Sequence, residues 1–274
     1  MSEPEVPLLG GDVTDGVVRV GRTVRRPTGP HSPLVHDVLA HLEAAGFPGA
    51  PRFLGIDEQG REILTFVEGE IAGRPWPAWV ADEDRLVSVA RLVRAYDDAV
   101  AALGVPESAA GVDPDPPGIP ESIAGTPSLV GHLDFAPENI VFTGATATAL
   151  IDFDLLRPAT RVEEVGNLLL WWAPLMPAAD RERALRDADP LRRARLIVDT
   201  YGLDATDRER LVAVTRNTAD RAWHRMRDRA GRLGGGWQRM WAEGVGDRIL
   251  RRQDWLAENA GALHAAVTRP PTGG

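Results

Sequence analysis

The stretch VGHLDFAPENIVFTGATATALIDFD, residues Val130–Asp154, decides how the rest of the chain is read. Its core is His132-x-Asp134-x-x-x-x-Asn139, with Ile151-Asp152-Phe153-Asp154 about a dozen residues on. Leu129–His132 reads as a short strand, and Asn139–Phe142 and Thr148–Asp152 as two more around a Gly-Ala-Thr turn. Asp134 and Asn139 then lie on a loop and Asp152 at a strand exit, positions that open into a cleft. Phosphoryl transfer needs a carboxylate to orient and deprotonate the attacking hydroxyl, and oxygen ligands for Mg²⁺. Asp134 suits the first task, Asn139 and Asp152 the second, and His132 suits bracing the loop. A lone H-x-D-x-x-x-x-N is a weak signal; the second acidic motif at a strand end makes coincidence a poor explanation.

Upstream, two short apolar runs flank Gly10-Gly11 through Gly16, and Gly21-Arg22 joins Val17–Val20 to Thr23–Arg26. This predicts three antiparallel strands joined by hairpins, with glycine amides available to lie over phosphates. Neither a Walker loop nor a dinucleotide-binding glycine motif is present. Arg25 and Arg26 end the third strand, and period-two alternation slightly favours Arg25 as the one facing a nucleotide. A helix is expected from a Ser32 cap and Pro33 to Gly46, with Leu34, Val35, Val38, Leu39 and Leu42 on its apolar face. A second hairpin, Arg52–Ile56 with Glu62–Val67, leads to Glu68-Gly69-Glu70, a candidate hinge. The expected division is an N-terminal lobe over residues 1–68 and a C-terminal lobe over 69–274.

Composition narrows the function. With 274 residues, 43% apolar and 26% charged, the chain can bury a substantial core and is not a disordered type. No run of 18 apolar residues is present, and the N-terminus lacks signal-peptide character, so the expectation is cytoplasmic. Cysteine is absent, which excludes disulfides, thiolate metal sites and cysteine nucleophiles. All 31 basic residues are arginine, so any lysine role must fall to arginine. A net charge of −9 argues against nucleic acid as a partner and leaves room for a cationic ligand.

From Asp82 a helix is expected to about Leu103, then a Pro/Gly-rich loop over 104–128. Beyond Asp154 the chain reads as helical. Val165–Leu175, with Trp171-Trp172, reads as core. The alternation of arginine and acid through Asp207–Arg232 reads as a solvated face. Gly234-Gly235-Gly236 should form a joint before one final amphipathic helix.

HLDFAPENIVF followed by ALIDFD resembles the catalytic loop and metal-binding segment of the aminoglycoside phosphotransferase and choline kinase-like enzymes, distant relatives of protein kinases. The resemblance implies an α+β, two-lobed, protein-kinase-like fold with a small antiparallel-sheet N-lobe and a mostly helical C-lobe. It implies Asp134 as base, Asn139 and Asp152 as Mg²⁺ ligands, and Arg25 or Arg26 in place of a phosphate-binding lysine. The backbone of Phe66 and Val67 would meet the purine of ATP or GTP, and acids such as Glu163, Asp180, Glu182 or Asp187 could face a cationic acceptor. The implied activity is transfer of the γ-phosphoryl group to a hydroxyl of a small molecule, an aminoglycoside-like antibiotic or a metabolite. Some actinobacterial proteins of this type carry a trifolitoxin-immunity label, which implies the alternative of a weak or inactive kinase-like binder in self-protection. The departures bear on that alternative. The family usually has glycine at Leu133, histidine at Ala136 and glycine at Glu138. The basic residue of its third strand pairs with a glutamate on the next helix, where this chain has Leu34-Val35-His36-Asp37.

Overall fold

The computed structural model describes residues 3–8, 13–14 and 16–269. The first lobe is a five-stranded antiparallel sheet of order β1-β2-β3-β5-β4. Its members are β1 (Glu5–Pro7), β2 (Val18–Val20), β3 (Thr23–Pro27), β4 (Phe53–Ile56) and β5 (Arg61–Thr65), with α1 (Ser32–Ala44) between β3 and β4. The expected hairpins therefore form, whereas Gly10 and Gly11 lie outside the described residues. Ser32 begins α1 rather than capping it. Its hydroxyl accepts from the Gly29 amide at 3.0 Å and closes the turn before the helix. The apolar stripe of α1 is fully buried, as its periodicity requires.

The linker between the lobes is tied down on one side. Glu70 exchanges both backbone hydrogen bonds with Phe142, at 2.9 and 2.8 Å, so this segment docks on the hairpin that follows Asn139. Gly69 sits just before this bridge at φ 152°. A Cβ there would lie 2.4 Å from Val141 Cγ1 and 2.7 Å from the Phe142 carbonyl, so only glycine permits the approach.

The second lobe starts with α2 (Glu83–Ala101), two residues shorter at its end than the sequence indicated. The strand pairs β6 (Leu129–Gly131) with β9 (Arg157–Ala159), and β7 (Ile140–Thr143) with β8 (Thr146–Leu150), carry the central motifs. Then come α3 (Arg161–Trp172), α4 (Pro190–Tyr201), α5 (Ala205–Arg232), α6 (Gly235–Ala242), α7 (Val245–Glu258) and α8 (Ala260–Thr268). Thr160 and Glu163 form a reciprocal capping box that starts α3. Trp172 is fully buried, so the apolar run is core. The segment after Gly234 is not one helix. Gly244 adopts φ 85° and divides it, and Asn259 divides it again.

One face was misread. Arg221, Arg225 and Arg229 of α5 are buried, not solvated. The 113–120 loop lies over them and supplies Asp113, Asp115 and the Pro120 carbonyl as partners. Acids within the helix disguise this pairing, because the partners come from about a hundred residues upstream. No described helix is long and apolar enough to cross a membrane.

Gly69→Ala is expected to destabilise the protein by about 2–3 kcal/mol, since it adds backbone strain and a clash with β7. Urea unfolding checks this, and Gly73→Ala, whose Cβ meets nothing within 4 Å, should change little.

Candidate active site

The loop His132–Phe135 is held from below by α3. Glu164, fully buried, accepts the backbone N–H groups of His132 and Leu133, one on each oxygen and both at 3.0 Å. One turn on, Asn167 accepts from the Phe135 amide at 3.1 Å and donates to the Leu133 carbonyl at 2.8 Å. Trp172 Nε1 donates to the Phe135 carbonyl at 2.8 Å. Three residues of one helix thus satisfy the backbone of His132–Phe135. Burial raises Glu164 well above the ordinary carboxylate range, and the Asp97 carboxyl beside it adds to this. Asp97 is itself pushed up by burial to about 7 while Tyr201 donates to it at 2.5 Å. Two buried carboxyls thus lie under the loop, each pushed up from the ordinary carboxylate range by burial.

His132 is a brace. Its Nε2 lies 3.1 Å from the Ile151 carbonyl, its ring stacks on Phe135, and burial lowers its pKa to about 4. The Ile151 amide donates to the Asn139 carbonyl at 2.9 Å, so the two motifs are stitched together immediately before Asp152. Asn139 Nδ2 donates to Asp134 Oδ2 at 2.8 Å, which turns the amide oxygen of Asn139 away from Asp134. Burial, then Asp152 and Glu138, push Asp134 up to about 7. Asp152 adopts φ 61°, a left-handed conformation that costs a non-glycine residue about 1 kcal/mol or more.

Arg26 crosses from the sheet to this loop. Its guanidinium bonds Asp154 Oδ2, and stands 3.6 Å from both Asp152 Oδ1 and Glu62 Oε2. Arg26 is 6% exposed and Glu62 1%, so these are desolvated charges. Burial opposes the Arg26 charge, but Asp154, Asp152 and Glu62 outweigh it and raise its pKa. Asp154 also meets His31 Nε2 at 3.1 Å and accepts from Thr14 at 3.1 Å. Burial disfavours its anion, yet His31 and Arg26 hold its pKa at about 2. Asp152 goes the other way, raised by burial and by the Asp154 charge.

The arginine that faces the cleft is Arg26. Arg25 points to the opposite face of β3, where it donates to Thr23 Oγ1 at 2.6 Å and lies 3.7 Å from Asp57. Alternation separated the two arginines correctly but could not say which face the second lobe covers. Glu62 is the functional residue that sequence reasoning missed. A glutamate was sought on α1, and α1 has none there. Glu62 instead stands on β5 directly opposite Arg26, and His36 of α1 reaches it at 2.9 Å while stacking on Phe53. Strand pairing of Arg26 with Glu62 was the available signal.

Two departures are also placed. Leu133 adopts φ 56°, a conformation glycine takes without strain, and its side chain is buried in the core rather than beside the base. Glu138 forms an ion pair with Arg74. Phe66 N–H is committed to the Arg22 carbonyl at 2.8 Å and Arg19 stacks on its ring, so among the described residues the Phe66 carbonyl and the Val67 backbone are the groups left uncommitted there. Glu163 serves the α3 cap, and Asp180 is paired with Arg251.

Mg²⁺ suits the donors present. Asp152 offers a carboxylate with a 45% exposed side chain, and Asn139 Oδ1 accepts no hydrogen bond among the described residues. No cluster of three or more His, Asp or Glu poised for a metal occurs among the described residues. Mg²⁺ needs none, because it takes one or two protein oxygens and completes its shell with phosphate and water.

A sequence model of the Phosphotransferase enzyme family matches residues 76–197. A trifolitoxin immunity protein of Rhizobium leguminosarum bv. trifolii is 32% identical over 209 residues, 74% of this chain and 76% of that one. The chain belongs to the phosphotransferase enzyme family. Solved structures share its architecture. A choline/ethanolamine kinase family protein from Mesorhizobium loti superposes with TM-score 0.59 at 17% identity, over 97% of this chain and 92% of that one. An aminoglycoside 2′-phosphotransferase in its GDP complex does so with TM-score 0.57 at 15% identity, over 96% and 94%. The kinase-like, two-lobed α+β fold expected from the central stretch is the fold of this phosphotransferase-family chain.

Two outcomes follow. Glu62→Gln should leave Arg26 short of a buried counter-charge and destabilise the protein by about 2–4 kcal/mol in chemical denaturation; exposed Glu43→Gln should be near neutral. Asp134 is raised above its unfolded value, so its favourable contribution is complete below pH 4 and is lost as pH rises to about 7. Stability measured from pH 4 to 7.5 should therefore fall less in Asp134→Asn than in wild type.

Proposed function

We propose that this protein moves the γ-phosphoryl group of ATP or GTP to a hydroxyl of a small molecule, with Asp134 as the base. The observation that carries this reading is the state of Asp134. It has a pKa of about 7, is fixed by Asn139, and stands in the field of Asp152. A base poised near neutrality can take a hydroxyl proton as the oxygen attacks phosphorus. In-line transfer then forms the acceptor O–P bond and breaks the bond to the leaving β-phosphate oxygen. Arg26 supplies the cleft's cation and turns toward phosphate oxygens, with Glu62 and His36 fixing its base. Arg25 would need to leave Asp57 to assist. Asn139 Oδ1 and the Asp152 carboxylate would hold Mg²⁺, which would neutralise charge on the phosphates. The Phe66 carbonyl and Val67 backbone would meet the purine. The need for nucleoside triphosphate favours a cytoplasmic site of action.

The acceptor belongs to the class of amino-sugars, amino-alcohols or metabolites with a reactive hydroxyl; proteins of similar fold include a gentamicin-bound aminoglycoside phosphotransferase and a choline/ethanolamine kinase family protein. A second reading has one observation in its favour. Arg26 already neutralises Asp152 and Asp154, as it would in a binder that sequesters a ligand without turnover, and the immunity relative fits that role.

Thermal shift with Mg·ATP and Mg·GTP should show stabilisation by at least one; none with either would rule out phosphoryl transfer. Turnover against a panel of amino-sugars, amino-alcohols and macrolides should then separate enzyme from binder. Asp134→Asn is expected to lower kcat by about 10²–10⁴-fold, and undiminished activity in it would remove Asp134 from the role of base. Asp152→Asn should weaken metal-dependent nucleotide binding with little change in fold.

A further inference from the structure

Three donors from separate parts of the first lobe converge on one carboxylate of the second. Thr14, between β1 and β2, donates through Oγ1 to Asp154 Oδ2 at 3.1 Å. Arg26 of β3 bonds the same oxygen through Nη2. His31, in the turn before α1, brings Nε2 to 3.1 Å from Asp154 Oδ1. That last contact is out of line for a hydrogen bond. Both atoms are buried, and neither has a hydrogen-bond partner among the described residues. The turn is nonetheless shaped for the ring, which lies over Gly29, where a Cβ would stand 2.7 Å from His31 Cε1.

Glu62 and Asp152 already oppose the Arg26 charge, each at 3.6 Å, so Asp154 makes the acids outnumber the guanidinium. Thr14 and His31 offset that excess by turning to the third carboxylate. A hydroxyl, a guanidinium and an imidazole are equally the donors that suit phosphate oxygens. Two anions cannot share them, because like charges in contact within a partly desolvated cleft repel strongly. A triphosphate reaching these donors therefore has to displace the Asp154 carboxylate. We propose that Asp154 is a latch between the lobes, an internal competitor that holds Thr14, Arg26 and His31 until the phosphates of a nucleotide take them. Thr14 and His31 then join Arg26 as phosphate-binding residues, and Asp154 lowers nucleotide affinity by keeping the cleft shut. This rests on the reading of the cleft as a nucleotide site.

The chain has no cysteine, so a dye pair can be carried by Glu58→Cys in the first lobe and Glu258→Cys in the second, both exposed positions. Single-molecule energy transfer without nucleotide should give one narrow distance in the otherwise native chain, and Asp154→Ala should lengthen and broaden it. Calorimetry should show Mg·ATP or Mg·GTP binding at least about tenfold tighter in Asp154→Ala than in wild type, because no carboxylate has to be displaced. Asp154→Asn keeps the shape and drops the charge; it should move both readouts the same way, and it carries the test if the alanine variant does not fold. In the Asp154→Ala background, His31→Phe should weaken nucleotide binding by about fivefold or more. No effect there would mean that His31 only braces Asp154 and would overturn its phosphate role. An unchanged dye distance overturns the latch, and so does nucleotide binding that is equal or weaker in the Asp154 variants, which marks Asp154 as a positioning residue for Arg26. No binding by wild type and variants alike overturns the nucleotide reading instead, and the dye distance then decides the latch by itself.

Discussion

The contact on which the structure turns is the Arg26 guanidinium among Glu62, Asp152 and Asp154. It joins the sheet lobe to the Asp152–Asp154 segment of the second lobe, and it does so where water is largely excluded. A desolvated arginine cannot stand alone, so each carboxylate around it is part of one charge balance. That balance explains why His31 and Thr14 converge on Asp154. It also explains why Asp152, less directly paired and beside a second carboxylate, keeps a raised pKa and an exposed edge. The residue best placed to receive a cation is thus the one whose charge is least neutralised.

A second network acts at the other end of the same loop. Glu164, Asn167 and Trp172 present side chains to the backbone of His132–Phe135, and Asp97 with Tyr201 supports Glu164 from beneath. The loop can hold Leu133 in a left-handed backbone conformation because these bonds over-determine it. Rigidity below and charge above place Asp134 between them. Its near-neutral pKa results from burial first and from the neighbouring carboxylates second.

Much of this was legible in the sequence. Asp134, Asn139 and Asp152 announce themselves by residue type and spacing, and the apolar stripe of α1 announces which face it buries. Strand alternation showed that Arg25 and Arg26 must diverge, but the covered face depends on where the second lobe sits, which no local pattern records. Glu62 was missed because it reaches Arg26 across a strand pair rather than along a helix. The α5 arginines were misread for a related reason. Acids four residues away in the same helix imitate local salt bridges, whereas the true partners, Asp113 and Asp115, lie in a proline-rich loop far upstream. Long-range charge pairing leaves no period in a sequence.

In the proposed function Arg26 is both the bridge between the lobes and the cation for phosphate. A crystal structure of the protein with Mg²⁺ and a non-hydrolysable triphosphate tests it most directly. The account predicts that the guanidinium leaves Asp152 for a phosphate oxygen while keeping Glu62, and that the metal takes its place at Asp152 with Asn139. Arg26 still bound to Asp152 and Asp154, with the triphosphate held elsewhere, would contradict it.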